Sequence, residues 1–177
     1  MALTPWLNHS WHLPLHGTAR GLGTPPIPWG TALIEIGFDF VAHEPNFLTS
    51  CGGEESIALV PKSVAAFYRE LFDALAAIRV HVAIGPTSNE LDDAMPFATD
   101  EIHRAYDADA AHRFLRALIA AHALFTRFRS GFLGKASPVH FFWGSFGLAV
   151  ARFAGRSASP HPGDAPQSAR RGRARLL

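Results

Sequence analysis

The sequence predicts an α+β domain, a mostly antiparallel sheet with two principal helices packed on one face. Three observations predict it. Residues 33–41 alternate, with Ile34, Ile36, Phe38 and Phe40 on one side and Glu35, Gly37 and Asp39 on the other. Two later segments carry apolar residues at helical spacing. The first is Val64, Phe67, Leu71, Leu75 and Ile78; the second is Phe114, Leu118, Ala121, Phe125 and Phe128. Ahead of the first of these, Cys51-Gly52-Gly53-Glu54 separates two apolar runs, and its glycines supply the positive φ of a hairpin turn.

The elements follow in chain order. In residues 8–19, Trp11, Leu13 and Leu15 alternate with His12, Pro14 and His16, which predicts a strand. Pro14 cannot donate to a ladder and places that strand at an edge or a bulge. Residues 21–30 hold three prolines and three glycines and predict a loop. The hairpin spans residues 47–50 and 56–60. Ser63 caps the first helix, and residues 80–84 predict a short strand ended by Gly85-Pro86. Residues 86–105 look irregular and carry an acidic patch at Glu90, Asp92 and Asp93. Asp107 caps a second helix running to about Arg129. Residues 139–153 predict one long strand, bent at Gly144 or Gly147. Nine of the 14 phenylalanines lie between Phe97 and Phe153, which assigns the core to this half.

A chain of 177 residues suits one domain, drawn at residues 1–156. From residue 157, Ser, Pro, Gly, Ala and Arg dominate and apolar periodicity stops, so residues 157–177 read as a disordered basic tail. Charged residues make up only 18%, against about 25% in ordinary soluble domains, which suggests a surface that something covers. Residues 156–177 carry five arginines against one aspartate, leaving 11 basic and 14 acidic groups in residues 1–155. A mildly acidic body sets nucleic acid aside as a partner. Cys51 is the single cysteine, which excludes an intrachain disulfide and a cysteine-based metal knuckle. The start of the chain has neither a basic segment nor an apolar core of the signal-peptide kind. The apolar-rich residues 114–128 include Arg116, His122 and Arg127, too short and too charged to span a bilayer. The expectation is a cytoplasmic, reduced protein with no membrane partner.

Ten histidines call for a test of metal binding. His12 and His16 on one strand face stand ~13 Å apart, whereas zinc ligands lie about 2 Å from the ion. No H-E-x-x-H occurs. No metal site is expected, and the histidines read as hydrogen-bonded residues at a sheet face. Ser145 in Trp143-Gly144-Ser145-Phe146-Gly147 resembles part of a nucleophile elbow, but Trp143 stands where glycine belongs and no helix follows. Gly21-Leu22-Gly23 and Gly52-Gly53 lack the following helix of a phosphate loop. Glu35 and Asp39, ~13 Å apart on one strand face, exceed the ~9.5 Å of a glycosidase pair and read as solvated. Arg20, Lys135, Trp143 and Ser145 are the candidate ligand-binding residues, with His12 and His140 as candidate general bases. Against this stands the plainer reading, with Trp143 in the core and Lys135 a loop charge.

Several stretches resemble an uncharacterised bacterial family filed as a domain of unknown function, the 5996 type. They are Asn8-His9-Ser10-Trp11-His12-Leu13-Pro14-Leu15, Thr18-Ala19-Arg20-Gly21-Leu22 and Pro26-Ile27-Pro28-Trp29-Gly30. A longer one runs Gly134-Lys135-Ala136-Ser137-Pro138-Val139-His140-Phe141-Phe142-Trp143-Gly144-Ser145-Phe146, followed by Arg152-Phe153 and His161-Pro162-Gly163. The resemblance implies no activity, and the cofactor stays unknown. It implies an aspartate after Gly-Ser-Phe, where this chain has Gly147, and a longer protein, so that this chain reads as truncated at both ends.

Three functions remain open. One is a small-molecule-binding or accessory module with its site near His12, Arg20, His140 and Trp143. A second is an enzyme with a histidine general base and Arg20 or Lys135 as anion anchor. A third is a partner-dependent fragment with an exposed aromatic face. The partner classes left open are an unidentified small molecule and a second copy of the chain.

Overall fold

The computed structural model describes residues 13–88, 91, 93–143 and 146–156. His12, Ser145, Glu90, Asp92 and the tail from residue 157 lie outside the described residues. Six strands form one sheet: β1 (His16–Gly17), β2 (Gly21–Gly23), β3 (Ile27–Trp29), β4 (Ala32–Asp39), β5 (Glu44–Thr49) and β6 (Glu54–Ser56). Their order is β1-β2-β4-β5-β6, with β3 beside β2 on the same edge of β4. Every pairing is antiparallel. Two further strands, β7 (His140–Phe142) and β8 (Gly147–Ala149), pair as a hairpin. With helices α1 (Val64–Ala77) and α2 (Ala108–Ser130), the architecture is α+β.

The alternation in β4 organises the molecule. Its apolar side is shared along its length between the two helices. Ile34 and Ile36 pack with Phe47, Ile57, Leu75 and Val80 in the cluster under α1. Phe38 and Phe40 pack with Leu15, Leu22, Leu118 and Phe141 under α2. The core is therefore two clusters joined along one strand, and the one under α1 is built by residues 27–82 with none from the phenylalanine-rich half. A bridge between Leu15 and Phe141, with backbone N–H···O distances of 2.9 and 2.8 Å, ties the opening ribbon to the β7–β8 hairpin.

Both helix starts read correctly from the sequence. Ser63 Oγ accepts from the N–H of Ala66, and an Asp107 carboxylate oxygen from the N–H of Ala110. The N–H groups of Val64 and Ala65 donate to the carbonyls of His103 and Asp100, so the irregular 96–106 segment closes the N-terminus of α1. Asp100 holds that segment in shape. Its carboxylate accepts from the N–H groups of Ile102 and His103 at 3.1 and 3.0 Å and contacts His103 Nδ1 at 2.7 Å.

Four expectations need correction. Residues 21–30 are two short strands, not a loop. Pro28 is tolerated because β3 pairs only with β4, so its missing N–H interrupts no second ladder. Residues 80–84 form no strand. Arg79 adopts φ 61° after α1, its N–H reaches Ala76 O, and Val80 N–H reaches Leu75 O. That is a Schellman ending, and it sends Val80 into the core beside Leu75. Residues 139–153 reverse direction, pairing Phe142 with Gly147, with Phe146 at φ 54°. The stripe of α2 stops short of its C-terminus, where Phe128 is 48% exposed and carries the Arg152 guanidinium over its ring at 3.6 Å.

Candidate functional site

The face of the sheet opposite the helices carries Glu35, Gly37 and Asp39 of β4. Their partners across the ladders are Gly21 and Gly23 of β2 and Glu44, Asn46 and Leu48 of β5. Gly23 sits directly opposite Gly37. Neither carries a side chain, but the Asn46 amide covers Gly37, so bare backbone open to a close approach is left at Gly23. A hollow of about 320 Å³ opens there, and its polar rim comprises Thr18, Arg20, Thr24, Glu35, Asp39 and Asn46.

A chain of contacts fixes Arg20. Asp39 Oδ1 accepts from the N–H groups of Val41 and Ala42 at 2.8 and 2.7 Å, which locks the carboxylate. Its Oδ2 accepts from Arg20 Nε. Partial burial works against ionisation of Asp39, but the Arg20 guanidinium and the two N–H groups outweigh it and hold its pKa below the usual value. Only Nε of Arg20 is used in this pairing, so its terminal amino groups stay free for a ligand acceptor. Glu35, exposed on the same face, makes no ion pair among the described residues. The threonines are spent on backbone, Thr24 Oγ1 accepting from Ile36 N–H and Thr18 Oγ1 from Arg20 N–H.

Of the candidate ligand-binding residues and general bases among the described residues, Arg20 alone lines this hollow. His140 is 3% exposed, with Nδ1 2.7 Å from the Pro138 carbonyl and its ring edge-on to Phe142. Lys135 is exposed, with Nζ 5.4 Å from the centre of the Phe153 ring. Trp143 is half exposed rather than in the core, because β7 ends before it. Asp39, expected to be solvated, is instead tied to Arg20. Asn46 carries no signal of its own in the sequence; the one pointer toward its position is Gly37, a glycine inside the predicted strand.

Of the further hollows among the described residues, two are of about 500 Å³ or more. One of about 500 Å³ lies between the β1–β2 turn and α2, lined by Gly17, Leu118, Ile119 and His122 among others. His122 Nδ1 is buried there with no hydrogen-bond partner among the described residues, 3.0 Å from where a Cβ on Gly17 would stand. The other, of about 580 Å³, lies at the start of α1. Among the described residues no cluster of three or more His, Cys, Asp or Glu could hold a metal ion, and no helix is long and apolar enough to cross a membrane.

Comparison with known proteins adds one finding. The family of unknown function DUF5996 matches residues 1–173 of the 177. The chain belongs to that family. The match spans the sheet, both helices and the β7–β8 hairpin, so the open-face hollow lies wholly within the DUF5996 region. No curated protein matches the chain, and no solved structure does.

Proposed function

We propose that this DUF5996 chain is a small-molecule-binding module whose ligand lies in the open-face hollow. The observation that carries this reading is the paired glycines, Gly23 and Gly37, lying between two opposite charges, Arg20 and Glu35. The ligand class that fits is a small amino-carboxylate. Its carboxylate takes the free amino groups of Arg20, its ammonium faces Glu35, and the Asn46 amide reaches the middle. Asp39 is a positioning residue that aims Arg20. Binding is favoured over catalysis by the lining, which holds no histidine, cysteine or serine among the described residues. The buried His140 supports no general-base role, since its ring is packed and faces no described hollow. A reducing, cytoplasmic setting suits the exposed free thiol of Cys51.

The test is amide NMR titration with a set of free amino acids and related amino-carboxylates. Binding at the hollow shifts Gly23 and Gly37, and Arg20→Ala and Glu35→Gln each weaken it tenfold or more. If no amino-carboxylate at millimolar concentration moves those two glycines, the reading fails.

A further inference from the structure

The hollow of about 580 Å³ differs in charge from the open-face one. It lies where the segment after β6 enters α1 and meets the 102–106 segment. Its apolar walls include Leu59, Val60, Val64, Phe67 and Ile102. Val60 and Ile102 are 51% and 68% exposed, so two aliphatic side chains flank the opening uncovered by any of the described residues. Lys62, His103 and Arg104 also line it, and among the described residues no acidic one does. In the domain's acidic body this is a local reversal of charge.

Not all of that positive charge is available. Lys62 Nζ pairs with Glu70, and His103 Nδ1 with Asp100. Arg104 is different. One of its amino groups donates to the Glu101 carbonyl, and no carboxylate neutralises it among the described residues. The Tyr106 hydroxyl, held 2.9 Å from His43 Nδ1, adds a neutral polar group, and burial raises its pKa so that it stays protonated. The result is an apolar trough with one uncompensated cation at its rim.

The geometry points to a second binding site here, for an amphipathic monoanion. The carboxylate of a medium-length acyl chain meets Arg104, and the chain lies along Val64 and Phe67, covering Val60 and Ile102. The volume falls within the range of small-molecule pockets, about 300–1,000 Å³. Charge complementarity selects the anion, and the exposed aliphatics select the tail. This site stands independently of the open-face hollow, with which it shares no lining residue.

The probes are decanoate, kept below its micelle-forming concentration, and decanol, which has the same chain without the charge. Calorimetry on the full chain measures affinity, and methyl NMR on Val60, Val64 and Ile102 reports location. The expected result is decanoate binding that shifts those methyls and weakens fivefold or more in Arg104→Ala. Decanol should bind at least fivefold more weakly than decanoate. Ile102→Ser, at an exposed position where folding is not at risk, should also weaken decanoate while leaving Gly23 and Gly37 unaffected. Absence of decanoate binding overturns the proposal. So do equal affinities for the two probes, an Arg104→Ala effect below fivefold, or methyl shifts confined to other parts of the chain.

Discussion

Asn46 lies across Gly37. An atom placed where a Cβ would stand on Gly37 collides with Asn46 Oδ1 and comes within 3.2 Å of Asn46 Cγ. The two residues are directly paired between β4 and β5, so the amide occupies the space a side chain at position 37 would need. Gly37→Ala should therefore destabilise the protein by about 1–3 kcal/mol through overpacking. Adding Asn46→Ala should recover most of that loss, and urea unfolding of the two single variants and the double variant measures the coupling. Additive losses would show that Gly37 is needed for another reason.

Gly23 is the contrast. A Cβ there meets only Thr18 Cγ2 at 3.4 Å and Ile36 O at 3.7 Å, ordinary contacts. Gly23→Ala should leave the unfolding midpoint unchanged or slightly raised, by up to about 1 kcal/mol, while its methyl enters the hollow. Amino-carboxylate affinity should fall while stability holds, a separation that a purely structural role for Gly23 does not produce.

Arg79 occupies the left-handed turn that ends α1, at φ 61°. A side chain in that conformation costs about 1–2 kcal/mol, and glycine avoids the cost. Arg79→Gly should raise stability by about 0.5–1 kcal/mol, read as a higher urea midpoint with unchanged slope. A lower midpoint would mean that the arginine contributes more than the turn costs.

Asp100 links stability to acid pH. The His103 N–H is the largest influence, burial opposes it, and the His103 ring and Ile102 N–H add to it, leaving the pKa below 3.8. A depressed native pKa contributes stability that is fully present above the unfolded value and is lost as pH falls through the native one. Asp100→Asn should therefore destabilise the protein near neutrality, and the gap from wild type should close below about pH 4. Unfolding curves from pH 7 to pH 2.5 check this. A gap that widens toward acid would reverse the assignment.

His140 is a packing residue in this fold. Its burial and its contact with the Pro138 carbonyl predict that His140→Ala costs about 1–3 kcal/mol. Amino-carboxylate binding by the folded variant should be unchanged. A selective loss of binding with stability intact would instead give His140 a functional role.

Much of the scaffold was legible because its signals are local. The alternation of Ile34, Ile36, Phe38 and Phe40, the caps at Ser63 and Asp107, and the turn at Gly52-Gly53 each act within a few residues. The misread pieces depend on distant partners. Residues 21–30 become strands because β4 offers them an edge, and residues 80–84 do not because a helix ending claims Val80. Arg20 stood out as a charge in Gly-rich sequence. Its partner Asp39 lies nineteen residues away and was read as solvated.

Sequence alone determined the α+β class, both helices, the central strand and its apolar side, since periodicity and capping are properties of neighbouring residues. Tertiary structure decided where the hollows are. Cross-strand register put Gly23 beside Gly37 and Asn46 over it, and the return of the 96–106 segment to α1 brought Arg104 to an apolar trough. Register and chain return bring together groups that are far apart in sequence, so no short-range pattern encodes them.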